Sequence, residues 1–133
     1  MSIILNLTQH EATPAQLEEG VFEPTPELKE EIRGLLTFDD IPSTREMFRR
    51  ARGLAQAVAH SECSMAMIGG APFFMSTLES ELLGSGISPL YAFSRRESVD
   101  ELQEDGSLVK RAKFVHLGFV GASGTDKVGG LGG

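Results

Sequence analysis

Residues 64–93 read SMAMIGGAPFFMSTLESELLGSGISPLYAF, and the order of signals in this stretch decides the fold. Ser64 to Ile68 is a short apolar strand closed by Gly69-Gly70. Pro72 then opens a helix bearing Phe74, Leu78 and Leu82, which Gly84 and Gly86 stop, and Ile87 to Phe93 is the next strand. A strand, a helix and a second strand in that order predict two parallel strands joined by a crossover helix.

The same alternation extends towards the N-terminus. Ile3 to Leu7 is an apolar, β-branched run interrupted by Asn6, followed by the polar string Thr8-Gln9-His10-Glu11-Ala12-Thr13-Pro14. That pattern is a buried first strand and its exit loop. Thr13, with Pro14 at the first helical position and Gln16 at the third, forms a capping box for a short helix that Gly20 ends, and Val21 to Glu23 is a short second strand. Thr25-Pro26 repeats the start signal, and Leu28, Ile32, Leu35 and Leu36 line one face of the helix that follows. After the loop from Thr37 to Pro42, Ser43 or Thr44 caps a longer helix with Met47, Ala51, Leu54, Val58 and Ala59 on its inner face and its arginines outside.

Towards the C-terminus, Glu97 to Leu102 and Ser107 to Leu117 flank the acidic turn Gln103-Glu104-Asp105-Gly106 and read as a β-hairpin that extends the sheet antiparallel. Seven of the sixteen residues from Gly118 to Gly133 are glycine. The expectation is therefore a single α/β domain over residues 1–120, a Rossmann-like, mainly parallel sheet flanked by helices with a C-terminal antiparallel hairpin, and a flexible Gly-rich tail over 121–133.

Composition narrows the functional classes. A net charge of −7 argues against long DNA or RNA as partners, because their phosphates reward a broad basic surface. The single cysteine, Cys63, forms no intrachain disulfide and points to a reducing compartment; with no signal peptide or apolar span at the N-terminus, the expectation is a cytoplasmic protein with no membrane partner. No Cys/His pairs stand at ligand spacing, and no G-x-S-x-G elbow or H-E-x-x-H helix is present. Asp39-Asp40 reads as a turn leading into a helix, so neither a metal nor a cofactor is expected.

In open α/β sheets ligands sit beyond the carboxyl ends of the strands, where helix N-termini present unpaired N–H groups to anions. Three segments meet that condition: Thr8 to Gln16, Gly69 to Pro72, and Ser94 to Glu97. Gly69 and Gly70 either let a phosphate approach the backbone or merely permit a tight turn. His10 is either a phosphate donor or acid–base group near neutral pH, or a loop histidine bonded to its own turn. Arg95 and Arg96 suit phosphate, but neighbours on a strand point to opposite faces, so one enters a crevice while the other pairs with Glu97 or Asp100. His116, alternating with apolar neighbours, reads as structural.

The segment LYAFSRRESVDELQEDGSLVKRAKFVHLGF, residues 90–119, resembles the end of a family of small stand-alone CRISPR-associated proteins, the ring nucleases of type III systems with CARF-like Rossmann folds. The matching positions are Tyr91, Ala92, Ser94, Arg96, Val99, Glu101, Asp105, Gly106, Val109, Phe114, His116 and Phe119, and the N-terminal H-x-x-T-x-x-Q pattern falls on His10, Thr13 and Gln16. The resemblance implies a homodimer that holds a cyclic oligoadenylate across its two-fold axis and cleaves it by metal-independent attack of a ribose 2′-OH, in antiviral defence. It implies that His10, Thr13, Ser94 and Arg96 bind the ring or stabilise charge, with His10 and Arg96 catalytic; the strand-end segments add Thr8, Gln9, Gln16, Gly69, Gly70 and Arg95 as ligand-binding candidates. The chain departs from the pattern at Gly69-Gly70, Phe93 and Val120, which favours a second reading as a non-catalytic nucleotide-binding module or sponge. A third reading is a phage-borne interaction protein that uses the acidic surface and glycine tail.

Overall fold

The computed structural model describes residues 3–122 and the backbone of residues 127 and 128. Its elements run β1 (Ile4–Leu7), α1 (Pro14–Glu18), β2 (Val21–Phe22), α2 (Pro26–Leu36), α3 (Thr44–His60), β3 (Met65–Ile68), α4 (Pro72–Gly84), β4 (Ser88–Leu102), β5 (Leu108–Gly121) and β6 (Lys127–Val128). They build one sheet in the order β2-β1-β3-β4-β5-β6, parallel from β2 through β4 and antiparallel from β4 to β6. The α/β architecture with a C-terminal antiparallel hairpin is as the sequence predicts.

Right-handed crossovers explain how the helices divide between the two faces. The step from β1 to β2 runs one way along the sheet, whereas β2 to β3 and β3 to β4 run the other way. Accordingly, Leu5, Leu7, Ala66 and Ile68 pack with residues of α2, α3 and α4 in the main core, which includes Ile32, Leu54, Phe74 and Leu78. The opposite face holds a smaller cluster of Ile4, Val21, Met67, Leu90 and Phe119, with α1 lying over it as the β1–β2 crossover.

The start signals act as their chemistry requires. Thr13 and Gln16 close a reciprocal capping box on α1, and Thr25 and Ser43 each accept a backbone N–H of the first turn of α2 and α3. Between Ser43 and Thr44, Ser43 is the cap. On α3 the inner face takes Ala55 and Ala57, while Ala59 is exposed, a correction that follows from the helical turn, which carries Ala59 past the edge of the face that Ala51, Leu54, Ala55 and Val58 bury.

The larger correction concerns β4. The expected strand ending at Phe93 and the expected first arm of the hairpin are one continuous strand of 15 residues, and Ser94 to Glu97 lie within it. β3 pairs with β4 only from Ser88 to Leu90, and β6 pairs with β5 only at Phe119 and Val120, so beyond the Ser94–His116 pair β4 and β5 form a two-stranded ribbon open on both faces. In such a ribbon polar residues do not end a strand, because neither face requires apolar cover. A bulge places Leu117 between the Phe93–Gly118 and Ser94–His116 pairs, and it brings His116 and Phe119 onto one face with ring centroids 5.0 Å apart.

The end of the domain also differs from expectation. β5 continues to Gly121, the Ala122 N–H donates to the Pro89 carbonyl at 2.9 Å, and Lys127–Val128 pair with Phe119 and Val120. The other residues of the expected tail, 123–126 and 129–133, lie outside the described residues.

Candidate functional site

The strand order changes direction between β1 and β3, because the chain leaves β1 towards β2 on one side and returns to β3 on the other. The exit loops of these two neighbours therefore diverge to opposite faces and leave a crevice between them. Such a pocket is present: about 290 Å³, lined by Thr8, Gln9, His10, Glu11, Thr13 and Gln16 from the β1 side, and by Met67, Ile68, Gly69 and Gly70 from β3, with Ala92 of β4 at its edge.

Asn6 holds the β1 loop in shape. It is 1% exposed, the one interruption of the apolar β1, and on the face towards α1. Its Oδ1 accepts the Thr8 N–H at 3.0 Å and the Thr8 hydroxyl at 2.7 Å. Its Nδ2 donates to the His10 carbonyl at 2.7 Å and to Glu23 Oε1 at 2.9 Å. Glu23, at the exit of β2, also accepts the Ala12 N–H, and Lys29 of α2 stands 3.6 Å from both Glu23 and Glu11. This network leaves the His10 side chain exposed at the pocket, with its carbonyl tethered behind it. Gln9 reaches the other way, donating to the Thr37 hydroxyl at 2.8 Å.

The β3 side is bare backbone. Gly70 has a φ of 151°, a conformation open to glycine, and a Cβ on Gly69 would stand 3.6 Å from Thr8 Cγ2 at the pocket wall. α4 begins directly after, and its N-cap, Ala71, makes no side-chain cap hydrogen bond, unlike the caps of α1, α2 and α3. The first turn of α4 thus keeps donors and the positive end of the helix dipole beside the glycines.

The structure thus brings together Thr8, Gln9, His10, Thr13, Gln16, Gly69 and Gly70. Thr13 and Gln16 are committed to their capping box, so their role in the pocket is first to hold α1. Ser94, Arg95 and Arg96 do not line the pocket, because β4 does not turn where the sequence places its end. Arg95 pairs with Glu97 at 2.7 Å, and Arg96 is exposed on the opposite face of the ribbon. None of the residues lining the pocket is a lysine or arginine.

The remaining sequence candidates have structural occupations. His116 is 5% exposed by its side chain, with Nε2 2.8 Å from Glu19 Oε1 of the α1 C-terminus, a close contact that ties α1 to the ribbon. Cys63 packs against the main core, and burial pushes its thiol pKa up, away from the nucleophilic thiolate. Asp39 and Asp40 border an apolar groove with Phe38, Met47 and Phe73, and no three His, Cys, Asp or Glu residues among those described are grouped as metal ligands. Tyr91 donates to Glu79 of α4 at 2.5 Å; its burial, and then that carboxylate, hold the phenol protonated well above the ordinary tyrosine range. Sequence reasoning missed the parts of Asn6, Glu23 and Lys29; the polar break at Asn6 in an apolar strand was their one visible signal.

A sheet with this order, its helices divided by crossover direction and a polar pocket at its switch point, defines an open-sheet α/β protein of the Rossmann-like class. Within that class, the chain belongs to the uncharacterized protein MJ1673 family, whose model matches residues 2–120. Among curated proteins and solved structures nothing matches. Among the described residues, no helix is long and apolar enough to cross a membrane.

Proposed function

We propose that the pocket between the β1 and β3 loops binds a cyclic oligoadenylate and cleaves it without metal. The observation that carries this reading is the convergence of the Thr8–His10 loop and the bare Gly69-Gly70 backbone on one cavity at the switch point, with the uncapped start of α4 following in the chain directly after Ala71. A phosphate fits the glycine and helix side, and His10 faces it from the β1 loop. The resemblance of residues 90–119 to ring nucleases supplies the class of ligand.

At about 290 Å³ the cavity matches the smallest ligand pockets, room for one ribose–phosphate step of a ring. The other steps of the ring fall on a second copy, so the reading includes a homodimer. In the reaction, neutral His10 takes the proton of a ribose 2′-OH, and O2′ attacks the adjacent phosphorus as the P–O5′ bond breaks. O5′ leaves as a hydroxyl, taking a proton from the imidazolium or from water, and the product ends in a 2′,3′-cyclic phosphate. The backbone at Gly69-Gly70, with the positive end of the α4 dipole behind it, favours the phosphate as negative charge develops. This chemistry is placed in the cytoplasm, in keeping with the lone, half-buried Cys63.

The test is to mix the protein with cyclic tetra-adenylate and with hexa-adenylate, with and without chelator, and to resolve the products by mass. Chelator-resistant linear products lost in His10→Ala support the reading. Tight binding without products makes the protein a sponge, the outcome favoured by the departures at Gly69-Gly70, Phe93 and Val120. Neither binding nor cleavage refutes both.

A further inference from the structure

The ribbon beyond the Ser94–His116 pair is exposed over most of its length in a single chain. Two-stranded ribbons alone are marginal in water, and this one turns Leu102, Leu108 and Phe114 to solvent on one face, at 70, 65 and 72% exposure. All three stand on the face that bears Leu90, Ala92, Ser94 and Arg96 of β4, which is the α1 face of the sheet. The pocket opens against that same face at Ala92, yet it holds no lysine or arginine. Arg96, free of hydrogen-bond and ion-pair partners among the described residues, lies four residues past Ala92, roughly 13 Å along the strand at the usual rise. That separation keeps it from its own pocket.

We infer that two copies of this chain exchange their ribbons, so that Arg96 of the partner subunit closes each pocket. The occupant is a second copy because the surfaces are complementary within one chain. The ribbon face presents Arg96, Phe114 and Lys110, the last opposite Asp100. The pocket lining includes the exposed acid Glu11, and α1 presents Glu18 and the 47% exposed Leu17 to solvent. Because ribbon and pocket share one continuous face, a two-fold axis that seats one ribbon on the other's rim seats both, an isologous and closed arrangement. The cation missing from each pocket is thereby supplied in trans. This inference deepens the proposed function and rests on it for the anionic ligand, whereas the exchange itself is readable without ligand.

The exchange is tested in a Cys63→Ser background by mixing Arg96→Cys protein with Glu11→Cys protein and adding a short bis-maleimide. The expected result is a cross-link between the two chains, a dimer of the wild-type chain in sedimentation, and a monomer with unchanged circular dichroism for Phe114→Asp. A wild-type chain that sediments as a monomer, or a cross-link that forms only within a chain carrying both cysteines, overturns the exchange. The ligand is tested separately with cyclic tetra-adenylate. Arg96→Ala is expected to weaken binding about tenfold to a hundredfold, as loss of a charged hydrogen bond does. Mixing Arg96→Ala with His10→Ala then restores intact sites to roughly a quarter of the wild-type number, since half of randomly mixed dimers carry one complete site of two. No restoration overturns the action in trans. A cross-linked dimer that binds no ring leaves the exchange standing and refutes the ligand reading instead.

Discussion

Replacing Asn6 by alanine removes the centre of the network that shapes the β1 loop. The side chain is 1% exposed, and its loss strips acceptors from the Thr8 N–H and hydroxyl and donors from the His10 carbonyl and Glu23. Neutral hydrogen bonds of this kind contribute about 1 kcal/mol each and one to a carboxylate about 2 kcal/mol. Thr8 and Glu23 stand close enough to solvent for water to replace part of what they lose, so the expected cost is about 3 kcal/mol. For a chain of 133 residues that lowers the melting temperature by roughly 10 °C. Asn6→Asp is the discriminating partner: it keeps the acceptor for Thr8 but sets a second carboxylate against Glu23, so it is expected to cost more than alanine at neutral pH and to recover in acid as one carboxyl protonates. Urea denaturation measures both, and hydrogen exchange at the Thr8 and Ala12 amides reads the loop directly. An alanine variant within about 0.5 kcal/mol of wild type, with those amides still protected, refutes the network as the loop's support.

Gly70→Ala is expected to cost about 1–3 kcal/mol from its φ of 151°, although Met75 and Leu36 leave ordinary room for the methyl; Gly69→Ala is expected to fold normally and to lose ligand at the narrowed pocket, and thermal melts with ligand titration separate the two. Glu46, hydrogen-bonded by Arg49 and Arg50, has its carboxyl pKa lowered from 4.5 to about 2. A depressed folded-state value stabilises above the unfolded value and fades as pH falls through the folded one, so Glu46→Gln is expected to flatten the loss of stability between pH 4.5 and 2. Arg49 is exposed and Glu46 partly so, and the difference is expected to shrink in high salt, as urea midpoints at two ionic strengths show.

The parallel part of the fold was legible because each of its elements carries a signal with a local cause. Pro26 at the first turn of α2, the hydroxyl caps Thr13, Thr25 and Ser43, and glycines at Gly20 and Gly86 with positive φ are decided within a few residues of chain. Strand order then follows from handedness, which no single residue encodes but every crossover obeys. Ala59 is exposed although Val58 beside it is buried, because the buried arc of α3 runs from Ala57 through Leu54 and Val58 to Ala51 and Ala55 and the 3.6-residue turn carries Ala59 past its edge.

The candidate site was legible only where loop and strand end coincide. Thr8 to His10 and Gly69-Gly70 follow strands that stop because apolar cover stops, so polarity there does mark an exit loop. Ser94-Arg95-Arg96-Glu97 carries the same polarity for a different reason: β4 has already left β3 behind at Leu90, and a ribbon wet on both faces stays a strand by pairing alone. Alternation along one chain reports which face of a strand is buried and is silent about where its neighbour ends. Arg96 therefore keeps the right face and the wrong depth, in line with Ala92 at the pocket edge but beyond the reach of its own site. Asn6 shows the converse, since a polar break inside a buried strand must be satisfied by something, and its partners at Thr8, His10 and Glu23 are what turn the β1 loop into one wall of a pocket.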